Sequence, residues 1–168
     1  EHEDVIVTPD PDPETGDASQ LFGKKNLTAT TEDGEGHTFK FTISSEDKNA
    51  PMPAATTVEV AYEADETGEK NIPFAPITYT EVGEYTYTIT EDKTEYTAEK
   101  GWTTGADITV TVKVEDNGEG KLVATVTGGN AIENSYKHED VIVTPDPDPE
   151  TGDAKQLFGK KNLTATTE

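Results

Sequence analysis

Between positions 83 and 91 the chain reads Gly-Glu-Tyr-Thr-Tyr-Thr-Ile-Thr-Glu, with Tyr85, Tyr87 and Ile89 alternating with Thr86, Thr88 and Thr90. Successive side chains of a strand point to opposite sides, so this period of two predicts a strand with one wet and one buried face. The same alternation recurs at 38–44 with Phe39, Phe41 and Ile43 inward, and at 57–62 with Val58, Val60 and Tyr62. It returns at 108–115 with Ile108, Val110, Val112 and Val114, and at 131–136 with Ile132, Asn134 and Tyr136. Less regular runs at 21–29, 72–80 and 122–126 bring the total to about eight strands. The stretches between them, including 64–71 and the longest, 92–107, are polar and rich in turn residues. No helical spacing persists through a whole segment. The predicted fold is all-β, an antiparallel immunoglobulin-like β-sandwich.

Residues 1–32 return as 137–168, with only Glu1/Lys137 and Ser19/Lys155 differing. A near-identical return at this distance is the mark of a tandem array with a unit of about 136 residues. The expected division is an acidic, proline-rich linker at 1–17, a β-sandwich at 18–136, the linker again at 137–153, and the first strand of a following unit at 154–168. The chain thus reads as a piece of something longer. Alternating prolines and acids from Thr8 to Asp17 predict an extended, semi-stiff spacer, because proline favours polyproline II and the carboxylates repel one another. Val5-Ile6-Val7 just before it reads as a short edge strand or as the apolar part of the junction. Array geometry favours a stalk or spacer over an enzyme.

The formal net charge is -22, from 35 acidic against 13 basic residues, and every basic residue is lysine. Nucleic-acid binding and docking on an anionic membrane both need basic clusters, so neither is expected. No apolar run is long enough to span a bilayer. There is no cysteine, which removes disulfides and thiol chemistry, so any covalent staple must be made otherwise. No metal-ligand pattern is found, and no cofactor is expected: acidic turns such as 63–69 do not match the calcium-loop spacing.

Three polar residues fall on faces that the alternation turns inward: Lys25, Glu91 and Asn134. Lys25 shares parity with Leu21 and Leu27, whereas the adjacent Lys24 falls on the wet face; a slip of one residue would exchange them. Each residue alone has an ordinary explanation: a snorkelling lysine, an exposed strand-end carboxylate, a turn-capping asparagine. Together they carry chemistry. Burial disfavours a charged amine and leaves it a nucleophile. A carboxyl beside an amide can polarise its carbonyl and carry protons to the departing nitrogen. The product would be an amide between Lys25 Nζ and Asn134 Cγ, with loss of ammonia, about 17 Da. Such a step is single-turnover self-processing, not enzyme turnover.

Lys25-Asn26-Leu27, the Phe39-Lys40-Phe41 strand, the Gly83 to Glu91 motif and Ile132-Glu133-Asn134-Ser135-Tyr136 resemble the isopeptide-linked pilin and adhesin domains of Gram-positive surface proteins, the streptococcal pilin type. Isoleucine stands at 132 where that pattern usually has phenylalanine, and the stretch after the glutamate strand, around Tyr96 and Trp102, departs from it. The resemblance spans roughly residues 20–136. It implies that Lys25 and Asn134 are the bonded pair and Glu91, kept protonated, the catalytic acid. It also implies a cell-wall-associated, extracellular stalk repeat whose partners are neighbouring repeats of the same protein. The alternative is an adhesion module recognising a host or partner-cell surface through loops 45–56 and 93–106. Trp102, in the second of these loops, reads as a plug over the core rather than a ligand contact.

Overall fold

The structure is a computed structural model that describes residues 2–12, 14–31, 34–137, 143, 145, 150–152, 158 and 159. Eleven strands run through the described residues: β1 (Val5–Val7), β2 (Lys24–Ala29), β3 (His37–Ser44), β4 (Thr57–Tyr62), β5 (Gly68–Asn71), β6 (Ile77–Tyr79), β7 (Gly83–Glu91), β8 (Trp102–Thr104), β9 (Ile108–Asp116), β10 (Leu122–Gly128) and β11 (Ala131–Tyr136). A single 3-10 turn, Ala98–Lys100, precedes β8. The chain is an all-β immunoglobulin-like sandwich, with one sheet ordered β10-β9-β7-β3-β4 and the other β5-β2-β11-β8. β1 and β6 form a two-stranded ribbon.

The alternation in the sequence is the alternation in space. Phe39, Phe41 and Ile43 of β3, Val110 and Val112 of β9, and Tyr87 and Ile89 of β7 are all buried. Thr88 and Thr90 face the other way, opposite Thr109 of β9 and Thr42 of β3. Of the named pairings, only β2 with β11 runs parallel; the rest are antiparallel. The opening and closing strands of the domain therefore lie side by side in one sheet, pointing the same way. Gly129, at φ +82°, makes the turn into β11, where a Cβ would press on the Phe22 carbonyl oxygen at 2.6 Å.

Three expectations need correction. The stretch 64–71, read as a turn, ends in the strand β5, and the 92–107 connection contains β8. Both escaped notice because β5 is a polar edge strand without apolar alternation, and β8 is only three residues long. The expected 72–80 strand is confined to Ile77–Tyr79, in keeping with the prolines at 73 and 76. Val5–Val7 takes the first of its two expected readings, a short edge strand. β1 pairs with β6 along Val5–Val7, and Val7 is fully buried. Residues 8–17 do not run extended: Gly16 N donates to Asp12 O at 2.7 Å, and Glu14 N donates to the Asp12 carboxylate. Residues 139–168 form a second, small unit. Most of it, including Lys160, Lys161 and the anticipated repeat strand at 154–168, lies outside the described residues.

Candidate functional site: a buried lysine, carboxylate and carboxamide

Lys25 enters the core from β2 because parity places it between Gly23 and Leu27 on the inward face. It is 0% exposed, and Lys24 beside it reaches outward to Glu69 at 3.0 Å. The register is therefore the one that puts Lys25 inside. Glu91 is the last residue of β7, directly opposite Phe41 of β3. An Asx turn, in which Thr94 N and Oγ1 both donate to Asp92 Oδ1, ends the strand just beyond it. Asn134 lies on β11, paired with Leu27 on one side and Thr104 on the other, and the ladder shifts register immediately after it. The approach of the β8 end to β11 requires glycine at position 105. Its N donates to Glu133 O at 2.6 Å, and a Cβ there would sit 2.8 Å from Glu133 N.

These strands bring the three residues together across the sandwich. Lys25 and Asn134 come from adjacent strands of one sheet, offset by two positions, and Glu91 comes from the facing sheet. Lys25 Nζ donates to Glu91 Oε2 at 2.9 Å, and Asn134 Nδ2 donates to Glu91 Oε1 at 2.6 Å. The two oxygens of one carboxyl thus address the two nitrogens separately. Lys25, Glu91 and Asn134 are the only charged or carboxamide side chains in the core of the described residues. Burial pulls the Lys25 amine down to about 8 from its usual 10.5, against the hydrogen bond and charge of Glu91, which act in the opposite direction.

The surroundings explain that pull. Lys25 Nζ lies 4.0 Å from the centroid of the Phe39 ring. Phe39 stacks on Tyr96 at 4.3 Å and meets Trp102 edge-on at 6.2 Å, while Trp102 itself packs on His37 and Tyr136. Trp102 is a plug over the core, as its sequence position predicts, and is 6% exposed. Tyr62 donates to the main-chain oxygens of Lys25 and Gly68, tying β2 to the start of β5. Its own hydroxyl is pushed up to about 12 by burial. Tyr62, Tyr136 and Phe39 were legible as inward residues and Tyr96 was not, and nothing in the one-dimensional pattern said that Phe39 and Tyr62 converge on Lys25.

One detail differs from the expectation that Glu91 would polarise the Asn134 carbonyl. In the structure Glu91 meets the amide nitrogen, and the carbonyl oxygen Oδ1 is buried without a hydrogen-bond partner. A carboxylate that already accepts from Lys25 is matched by an amide donor, which turns the carbonyl away. An orphaned buried acceptor is costly, and such groups concentrate where chemistry occurs.

An all-β sandwich with a lysine, a carboxyl and a carboxamide meeting in its core is the architecture that any family assignment must account for. The family model FctA, described as the Spy0128-like isopeptide containing domain, matches residues 21–138, and the chain belongs to that family. Membership assigns a structural, pilin- or adhesin-related role. No curated protein matches the chain. Among the described residues no group of three histidine, aspartate or glutamate side chains is placed to hold a metal ion.

Proposed function

We propose that the chain is a self-stapling stalk unit of a Gram-positive surface protein, in which Lys25 and Asn134 join through an isopeptide bond assisted by Glu91. The observation that carries this reading is the division of labour on Glu91, with Oε2 at the amine and Oε1 at the amide nitrogen. In the reaction the neutral Lys25 amine attacks Asn134 Cγ and passes a proton to Oε2. The Cγ–Nζ bond forms and the Cγ–Nδ2 bond breaks. Oε1 returns a proton to the departing Nδ2, which leaves as ammonia. No net proton is gained or lost by the carboxyl. The fold supplies the proximity that makes a stable amide an acceptable electrophile. The unit acts once, on itself, and does not turn over.

The staple suits a stalk. Tension in an array would reach β2 from one end and leave through β11 at the other, and the bond joins those two strands directly. The neighbouring repeats are then its mechanical partners, and the cell surface its location. Intact-mass spectrometry tests the chemistry: the parent should weigh about 17 Da less than its sequence requires, and Glu91→Ala should restore the full mass. A parent of full mass would leave an unstapled sandwich and remove the proposed function.

A further inference from the structure

The acidic, proline-rich stretch was expected to separate repeats, but the structure ties it to the body of the unit. The first residue anchored through its main chain is Glu3, just after the His2 side chain meets Asp116 at 3.2 Å: Glu3 N donates to Gly120 O at 2.8 Å, and Leu122 N donates to its carbonyl at 3.0 Å. β1 then lies on β6, with Val7 buried and Val5 partly so. Thr8 N donates to Gln20 Oε1, and Phe22 N donates to Pro9 O at 2.9 Å. At the other end the last anchored residue is Lys137, whose N donates to Gly101 O at 2.9 Å.

The sequence from His138 to Ala154 is identical to that from His2 to Ala18. In a following copy the counterpart of Glu3 is Glu139. Only His138 then stands between the last anchored residue of one unit and the first of the next. A following copy docked in the same way would be joined by a connector of about one residue, too short to act as a spacer.

Resting on the isopeptide reading above, we infer that residues 3–21 are a strap inside each unit: docked through β1, outside the covalently closed loop, and the first length to pay out when the chain is pulled. The loop closed by Lys25 and Asn134 holds everything between them and cannot lengthen. The strap precedes Lys25, so all tension arriving from a preceding unit must pass along it. It is held by the three-residue β1, the Lys121–Glu3 ion pair and a few main-chain bonds, with Ile6 of β1 60% exposed, whereas Phe22, fully buried against Tyr87, and Lys24, the first residue of β2, belong to the body of the sandwich. Such short edge pairings open at far lower cost than a whole domain. From Glu3 to the buried Phe22 there are 19 positions, a contour of at most ~65 Å at about 3.4 Å per residue. Once released, Pro9, Pro11 and Pro13 with their interleaved acids hold it extended rather than collapsed.

The chain has no cysteine, so handles can be placed singly. With Glu1→Cys and Lys137→Cys attached to beads in optical tweezers, the parent should give one small step of no more than ~65 Å, the contour from Glu3 to Phe22. The step should reverse on relaxation, with no further lengthening. Val7→Asp, which removes the buried anchor of β1, should lose the step while keeping the mass deficit of about 17 Da. A stapled parent that gives no step, or a Val7→Asp chain that gives the same step, overturns the strap. Failure of the staple reads differently: full mass, and an additional release of several hundred ångströms from the 109 positions between Lys25 and Asn134. Hydrogen exchange gives an independent arm. The amides of Val5–Val7 should exchange well before those of β2 and β11, and equal protection contradicts a separately opening strap.

Discussion

At the scale of single residues, the account turns on an amine held where its charge is disfavoured. Before bonding, Lys25 binds its proton less tightly in the folded chain, about 8, than in the unfolded one, 10.5. Between those values the unfolded state holds more protons on this lysine, so its contribution to stability should rise with pH across that window, while above about pH 10 the raised tyrosine hydroxyls, Tyr62 among them, act in the opposite direction. The effect belongs to the unbonded form. In Asn134→Ala that contribution to the free energy of unfolding should climb by about 3 kcal/mol between pH 8 and 10.5, at roughly 1.4 kcal/mol per tenfold change in proton affinity. Denaturant titrations at several pH values read this directly. The parent, whose lysine nitrogen would be an amide, should lack the rise. An Asn134→Ala chain with no pH dependence in that window would mean that Lys25 is not desolvated as its surroundings indicate.

Much of this site was legible one residue at a time. Parity alone put Lys25, Glu91 and Asn134 on inward faces, because a strand's period of two leaves no intermediate position. Which oxygen of Glu91 meets which nitrogen was not legible, since it depends on side-chain rotation and on the competing claim of the lysine. The orphaned Asn134 carbonyl follows from the same competition.

At the scale of elements, what was visible in the sequence were strands with one dry face. β3, β4, β7, β9 and β11 bury alternate side chains and announced themselves. β5 and β8 did not: β5 is held at the edge by its ladder to β2 and by Tyr62, with no apolar stripe of its own. The parallel neighbouring of β2 and β11 was likewise invisible, because pairing partners distant in sequence leave no periodic trace. β8 matters nonetheless, as its flank on β11 fixes the strand that carries Asn134. Gly105→Ala should force this flank apart and destabilise the domain by roughly 1–3 kcal/mol, the usual range for an overpacked contact. Chemical denaturation of the purified variant measures it; an unchanged midpoint would mean that β8 does not steady β11.

At the scale of the whole molecule, the proposed staple would link positions 109 apart and close nearly all of the sandwich into one loop. By analogy with a disulfide around a loop of ~100 residues, it should stabilise by ~4–5 kcal/mol, mainly by restricting the unfolded chain. For a domain of this size that corresponds to a fall of roughly 15–20 °C in Tm when Asn134→Ala removes the bond. Differential scanning calorimetry of parent and variant checks it, and equal Tm values would contradict a covalent clamp. Outside that loop lies the strap, so each unit combines a length that cannot extend with a short one that can.

The most direct test of the central claim is the location of the bond itself. Proteolysis of the intact chain followed by tandem mass spectrometry should recover one branched peptide in which the segments carrying Lys25 and Asn134 are joined, at their summed mass less about 17 Da, with no cleavage after Lys25. Recovery of the two segments as separate, unmodified linear peptides would contradict the account.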